Sequence, residues 1–313
     1  MMMLRRPGLP IALLALWLSS AFASAQSPAR TPVIEETIPS GANFDKADFR
    51  LWYPAGVPAL RGVVVLVPGS NGDGRAQAED TVWQAFATKN RLALVGVRLT
   101  DKPHEQGFIE EYINVSRGSG QALLDALTSL SRKSNHPEIA TAPLLLWGMS
   151  AGGEFNYEFV SWKPERVLAF VVNKGGIYYT ALASRGAREV PGILFVGEKD
   201  LEFRTSTIVG LFAVNRRAGA TWALAEEPGA AHIVGRSRDV ALVLFDDALA
   251  LRLGDGAAMK PIAEKSGFIG DFKSKTFRAV ADSATPGFPT AWLPTARTAR
   301  AWQAMVTGKP LEP

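Results

Sequence analysis

No cysteine occurs in the 313 residues. That absence excludes disulfides, cysteine-ligated metals, a thiol nucleophile and a lipid-modified cysteine anchor. Histidine is nearly as scarce, at three residues. Any chemistry that needs an imidazole is confined to His104, His136 or His232, and no His/carboxylate cluster has the spacing of a metal site. No metal or cofactor is expected. Charge of one sign is also lacking: 34 basic and 30 acidic side chains leave a formal charge of +4. No basic stripe carries interleaved aromatics, so nucleic acid is not an expected partner. Long apolar runs are missing too. Ile11–Trp17 is far shorter than the ~20 residues that a membrane span requires.

That short run has another reading. Arg5 and Arg6 precede it, and Ala23-Ser24-Ala25 follows it, ahead of Gln26. A positive start, a short apolar core and small residues at the end make up a secretory signal peptide over residues 1–25. Export to the periplasm or the medium is expected, with no stable membrane anchor after cleavage. Residues 26–42 are polar and contain proline, and read as a flexible arm. Removing the leader takes away both its arginines, which leaves a weakly basic, evenly mixed surface. Nothing in the sequence specifies an oligomeric state.

Hydrophobic residues make up 47% and charged residues 20%, which suits a globular chain with a substantial core. From residue 43 onward, apolar runs of strand length alternate with helical spacing. Strands are expected at Phe49–Tyr53, Val63–Val67, Leu92–Val97, Leu144–Trp147, Val167–Val172, Ile193–Val196 and Trp222–Ala225. Val63–Val67 is wholly apolar, as a strand buried on both faces should be. Helices are expected at Ala78–Lys89, with Val82 and Phe86 four apart, at Gln121–Lys133, with Leu123, Leu127 and Leu130 on one face, and at Ala151–Trp162. A last core helix spans Val240–Leu251, with Leu244, Ala248 and Leu251 facing one way. This rhythm predicts an α/β fold with a doubly wound, mostly parallel sheet over residues 43–254. Residues 255–313 do not continue the alternation. They carry Phe268, Phe272, Phe277, Phe288, Trp292 and Trp302, and a short helix at Ala296–Val306, and read as an extension packed on the main domain.

The chemistry centres on Ser150. A strand-length apolar run ends at Gly148, and Ser150 stands between Gly148 and Gly152 at the start of a helix. This is the G-x-S-x-G pattern of a nucleophile elbow, in its strand–turn–helix setting. A serine hydroxyl needs a base. His104 precedes Ser150, the wrong order for this elbow. His136 lies between a helix and the elbow strand, at the far end of the sheet. Only His232, in the loop after strand Trp222–Ala225, has both the right order and the edge where open α/β sheets bind ligands. Asp200, just after strand Ile193–Val196, is the expected carboxylate partner, with Glu198 its rival. For the oxyanion, the elbow offers the Ala151 N–H. The loop Pro68-Gly69-Ser70-Asn71 after the valine strand offers the Ser70 N–H as second donor, with Asn71 the neighbouring alternative and a candidate substrate-binding residue. Tyr178 and Tyr179 lie in the short β–β connection and could line a substrate pocket. Glu154 reads as a carboxylate favouring its helix N-terminus, and Asp73 as a turn residue.

These segments carry a resemblance. Gly148-Met149-Ser150-Ala151-Gly152, Gly197-Glu198-Lys199-Asp200 and Gly229-Ala230-Ala231-His232 stand in an order by which residues 49–251 resemble the α/β-hydrolase superfamily. In particular they resemble secreted carboxylesterases related to dienelactone hydrolases and polyhydroxyalkanoate depolymerases. The resemblance implies Ser150 as nucleophile, Asp200 as acid, His232 as base, and a small-molecule or polymeric ester as substrate. Two features depart from it. Many relatives have His-Gly in the oxyanion loop where this chain has Pro68-Gly69, and dienelactone hydrolases use a cysteine nucleophile. Two other readings share the fold: a peptidase of the prolyl-oligopeptidase type, and a binding protein without catalysis. Residues 173–191 leave little room for a large cap, so an open site is expected.

Overall fold

The computed structural model describes residues 33–107, 109–253, 258–282 and 290–311. The leader and Phe288 lie outside these residues. In chain order the elements are β1 (Ile34–Ile38), β2 (Lys46–Trp52), β3 (Gly62–Val67), α1 (Thr81–Asn90), β4 (Leu92–Thr100), α2 (Ser119–Ser134), β5 (Leu144–Gly148) and α3 (Ala151–Trp162). There follow β6 (Val167–Asn173), α4 (Arg185–Arg188), β7 (Gly192–Gly197), α5 (Glu202–Arg217), β8 (Trp222–Glu227) and α6 (Ser237–Ala248). The C-terminal part holds β9 (Phe268–Asp271), β10 (Thr276–Ala279), β11 (Thr290–Leu293) and α7 (Ala296–Val306). No helix among the described residues is long and apolar enough to cross a membrane.

Eight strands form one sheet in the order β1-β2-β4-β3-β5-β6-β7-β8. β2 runs antiparallel to both its neighbours, and every pairing from β4 to β8 is parallel. The reason lies in β3, whose six residues are all buried. Its alternate side chains part to opposite faces. Val63, Val65 and Val67 join Leu123, Leu127, Phe155 and Phe212 from α2, α3 and α5 in one apolar cluster. Val64 and Leu66 join Trp83, Leu244, Trp302 and Met305 from α1, α6 and α7 in the other. A strand sandwiched in this way has no polar face, which is why it reads as an unbroken apolar run. Each fully buried leucine or valine contributes on the order of 1.5–3 kcal/mol.

Several expectations are corrected. Part of the expected arm is β1, an edge strand paired along its length with β2. Its Ile34, Glu36 and Ile38 alternate inward, a weak signal because two glutamates interrupt it. In α1 the inward residues are Trp83, Phe86 and Ala87, while Val82 is exposed. The helix starts late because Asp80 caps it, accepting from the N–H groups of Val82 and Trp83, as N-cap aspartates do. Leu251 is exposed rather than aligned with Leu244 and Ala248. The backbone widens into a π turn at Leu249–Leu253, which shifts the helical phase. α5 has no counterpart in the sequence reading. Exposed Phe203, Val209 and Val214 dilute its buried stripe of Ile208, Leu211 and Phe212.

The C-terminal residues are part of the core. β9, β10 and β11 make a three-stranded antiparallel sheet. Ala291, Leu293, Trp302 and Met305 pack into the cluster on the α1/α6 face of the main sheet. The Trp302 indole donates to the Leu224 carbonyl of β8 at 2.7 Å. The described residues form one compact unit.

Candidate active site

Parallel strands bring the loops at their C-terminal ends to one edge of the sheet. β3 and β5 are neighbours, so the oxyanion-loop candidate and the elbow emerge side by side where the strand order reverses, the usual ligand position in open α/β sheets. Ser150 has φ +55° and ψ −128°, a strained conformation held by its surroundings. Its N–H donates to the Asn173 carbonyl at 2.8 Å. The flanking glycines are required by contact. A Cβ on Gly148 would lie 2.2 Å from the Gly152 carbonyl oxygen, and one on Gly152 would lie 2.3 Å from that of Val67.

His232 Nε2 lies 3.0 Å from Ser150 Oγ, and His232 Nδ1 lies 2.8 Å from Asp200 Oδ2. With Nδ1–H donating a hydrogen bond to Asp200, Nε2 is an acceptor for the serine hydroxyl. The Asp200 side chain is only 2% exposed. Burial by itself raises its pKa. Hydrogen bonds from His232, the Leu201 N–H and Arg204 outweigh that, so the carboxyl sits below its ordinary range. Asp200 therefore stays an anion behind the imidazole. Glu198, the rival, accepts from the Gly229 N–H at 2.6 Å and helps hold the loop that carries His232. His104 meets Asp101 and His136 meets Glu138, and neither imidazole bonds to Ser150 or Asp200.

The N–H groups of Ala151 and Ser70 make no backbone hydrogen bond with described residues. That of Asn71 donates to the Tyr112 hydroxyl at 3.3 Å. Of the two loop candidates, Ser70 has the free donor. The loop passes beside Ser150: a Cβ on Gly69 would meet Ser150 Cβ at 3.5 Å, an ordinary contact.

The two tyrosines separate. Tyr179 is 47% exposed. The Tyr178 hydroxyl is buried without a partner and its ring packs edge-on against Tyr157, so it does not line an open pocket. The cause is a pair of glutamates one turn apart on α3. Glu154 Oε1 accepts from the N–H groups of Gly176 and Ile177, and Glu158 accepts from Tyr179 N–H, Thr180 N–H and Thr180 Oγ1. Five hydrogen bonds thus strap the β6–β7 connection onto α3. Glu154 acts on this loop, and its i,i+4 spacing with Glu158 was the available signal.

A second device was missed because a lysine at a strand end reads as a surface residue. Lys174 is fully buried. Its Nζ donates to Glu227 Oε2 at 2.9 Å and to Asn173 Oδ1 at 3.2 Å. Glu227 Oε1 accepts from the Arg236 N–H at 2.7 Å, and the Asn173 amide donates to the Val234 carbonyl. This buried ion pair anchors the far end of the His232 loop. Gly235 has φ +56°, and a Cβ there would strike the Glu227 carboxylate at 2.3 Å.

No family model and no curated protein matches the sequence. Solved structures do. A poly(3-hydroxybutyrate) depolymerase from Bordetella parapertussis superposes with a TM-score of 0.51 and 18% identity, over 69% of this chain and 90% of that one. The chain has the α/β-hydrolase fold. Poly(aspartic acid) hydrolase-1 from Sphingomonas sp. KT-1 superposes at 0.49 with 15% identity, over 69% of this chain and 99% of the other. A ferulic acid esterase superposes at 0.49 with 13% identity, over 65% and 92%. At such identities the likeness is one of fold. Within this α/β-hydrolase fold, the β6–β7 connection holds only the four-residue α4, and no cap covers the elbow from that side.

Proposed function

We propose that this chain is a serine hydrolase that cleaves carboxylic esters through an acyl-enzyme. The observation that carries the reading is the hydrogen-bonded series Ser150–His232–Asp200 at 3.0 and 2.8 Å. Ser150 Oγ attacks the ester carbonyl carbon while His232 Nε2 takes its proton. The negative charge on the carbonyl oxygen is met by the Ala151 and Ser70 N–H groups, each such donor contributing about 3–4 kcal/mol. His232 then returns the proton to the departing alkoxide, and an alcohol leaves. Water, deprotonated by the same imidazole, attacks the acyl-enzyme and frees the acid and Ser150. Asp200 holds the tautomer and stabilises the imidazolium. The uncapped elbow favours small, aromatic-linked or polymeric esters over long lipids.

The test is covalent labelling with a fluorophosphonate, followed by a panel of nitrophenyl esters. Wild type is expected to label at Ser150, and Ser150→Ala to lose labelling and at least about 10³-fold in kcat. Unchanged turnover in Ser150→Ala would overturn the assignment.

A further inference from the structure

Asp200 holds more than an imidazole. Its Oδ2 faces His232 Nδ1 at 2.8 Å, while Oδ1 accepts from the Leu201 N–H at 2.7 Å and from Arg204 Nη1 at 3.2 Å. Arg204 stands on the first turn of α5, and helical side chains point back toward the helix start. The guanidinium thus covers the carboxylate oxygen that His232 leaves free. The Asp200 side chain is 2% exposed and that of Arg204 23%.

Two contacts fix the guanidinium there. Its central carbon lies 5.2 Å from the centre of the Phe203 ring, within the range of a cation–π interaction. Its stem lies on Gly176, where a Cβ would meet Arg204 Cγ at 3.1 Å and Phe203 Cε2 at 3.2 Å. Gly176 belongs to the β6–β7 connection, and its N–H donates to Glu154. The strap made by Glu154 and Glu158 therefore presents the backbone against which Arg204 packs.

We propose that Arg204 is a positioning residue for the hydrolase reaction: it holds Asp200 toward His232, and its charge keeps the imidazole a base at lower pH than Asp200 alone would allow. The inference rests on the hydrolase reading for its effect on rate, and on the Asp200 contacts alone for its effect on the imidazole. The sign follows from charge. An anion beside an imidazole favours the protonated ring, and a cation sharing that anion disfavours it. The neutral ring is the form that takes a proton from Ser150. Other charges nearby leave this balance intact. Lys174 and Glu227 neutralise each other, Glu198 accepts from the Gly229 N–H, and Arg236 turns to the Lys309 carbonyl. Lys199 and Glu202 are exposed, where water and salt screen them. Glu154 also feels Arg204, but burial, with the Gly176 N–H opposing and Glu110 adding, puts its pKa at about 7. Below that pH Glu154 is mostly neutral and leaves the guanidinium to Asp200.

The experiment is the pH dependence of kcat/KM on a nitrophenyl ester, with the His232 ring signal titrated by NMR in the same proteins without substrate. The chain has three histidines, so the signal is assigned by its loss in His232→Gln. Arg204→Met keeps a stem over Gly176 and removes the charge. It is expected to raise the midpoint of the acid limb, and that of the ring titration, by about one pH unit, the low end for a nearby charge because Arg204 is partly exposed. Below the limb, its rate relative to its own plateau should be about tenfold lower than in wild type. Arg204→Lys keeps the charge and should recover at least half of the shift. If Arg204→Met does not fold, Arg204→Gln takes its place with the same expectation. A ring midpoint that stays put in the folded neutral variant overturns the inference, whatever the rate does, since a purely structural role lowers activity equally at every pH. A lysine variant that shifts as far as the neutral one overturns it too. If the ring midpoint moves but no ester is cleaved, the positioning role on His232 stands and the hydrolase reading fails. If esters are cleaved at Ser150 and the ring midpoint does not move, the reverse holds.

Discussion

Glu154 follows Ser150 by one helical turn and is buried, with Oε1 bonded to two backbone N–H groups and Oε2 to nothing. Burial raises its pKa to about 7 against an ordinary 4.5. The Gly176 N–H partly opposes this, the Glu110 charge adds to it, and Arg204 acts the other way. A carboxyl raised in the folded state stabilises fully below the unfolded pKa and loses that contribution as pH climbs through the folded one. Wild type is thus expected to lose about 3 kcal/mol relative to Glu154→Gln between about pH 5 and pH 8, at about 1.4 kcal/mol per unit. Glutamine keeps an oxygen for both N–H groups, so the strap survives. Urea unfolding of both proteins at the two pH values measures it, and a difference that does not change with pH rules Glu154 out as the titrating group. Single residues were legible where chemistry restricts the choice. With three histidines in the chain, strand order alone singled out His232. Glu154 was not legible, because whether a carboxylate is satisfied depends on neighbours distant in sequence.

Elements place these residues, and two loops matter most. One is strapped to α3 by Glu154 and Glu158. The other, which bears His232, is pinned at Gly229 by Glu198 and at Arg236 by Glu227 with Lys174 behind it. Lys174→Met leaves Glu227 buried and unpaired, and is expected to cost about 3–5 kcal/mol. Because the His232 loop loses its anchor, the rate of fluorophosphonate labelling at Ser150 should fall by about 10²-fold, the scale of an ångström misplacement. Lys174→Met/Glu227→Gln removes the stranded charge and keeps an acceptor for Arg236. It should recover at least half the lost stability in urea. No recovery would show that the pair is not the cause. Strands β3, β5, β6 and β7 were readable as apolar runs because both their faces are covered. β1 and α5 were not, since each is half exposed and its apolar residues are diluted by charge or by solvent-facing side chains.

For the molecule as a whole, the C-terminal segment completes the core. Trp302 is fully buried against the α1/α6 face and bonded to β8. Trp302→Ala is expected to cost about 3–5 kcal/mol in a urea melt. A chain ending at residue 254 would expose that apolar face, and it should be insoluble or lack a cooperative transition. A soluble, cooperatively folding truncation would show instead that the segment is an accessory. At the other end, the proposed leader is checked by intact-mass measurement of the full-length chain expressed in an exporting host, with a product beginning at Gln26 expected. A mass retaining residues 1–25 contradicts the leader.

Sequence alone determined the layered α/β architecture and the chain order Ser150, Asp200, His232 of the residues that meet at the sheet edge. Apolar runs, glycine spacing and the scarcity of histidine are local properties of the chain, and they need no knowledge of what lies across the sheet. Tertiary structure decided which carboxylates are satisfied and by which donors. It also decided that a lysine at a strand end is buried, that a tyrosine expected in the pocket turns inward, and that the last segment is core. Each of these depends on partners tens to hundreds of residues away, and only folding brings them within hydrogen-bond or van der Waals distance.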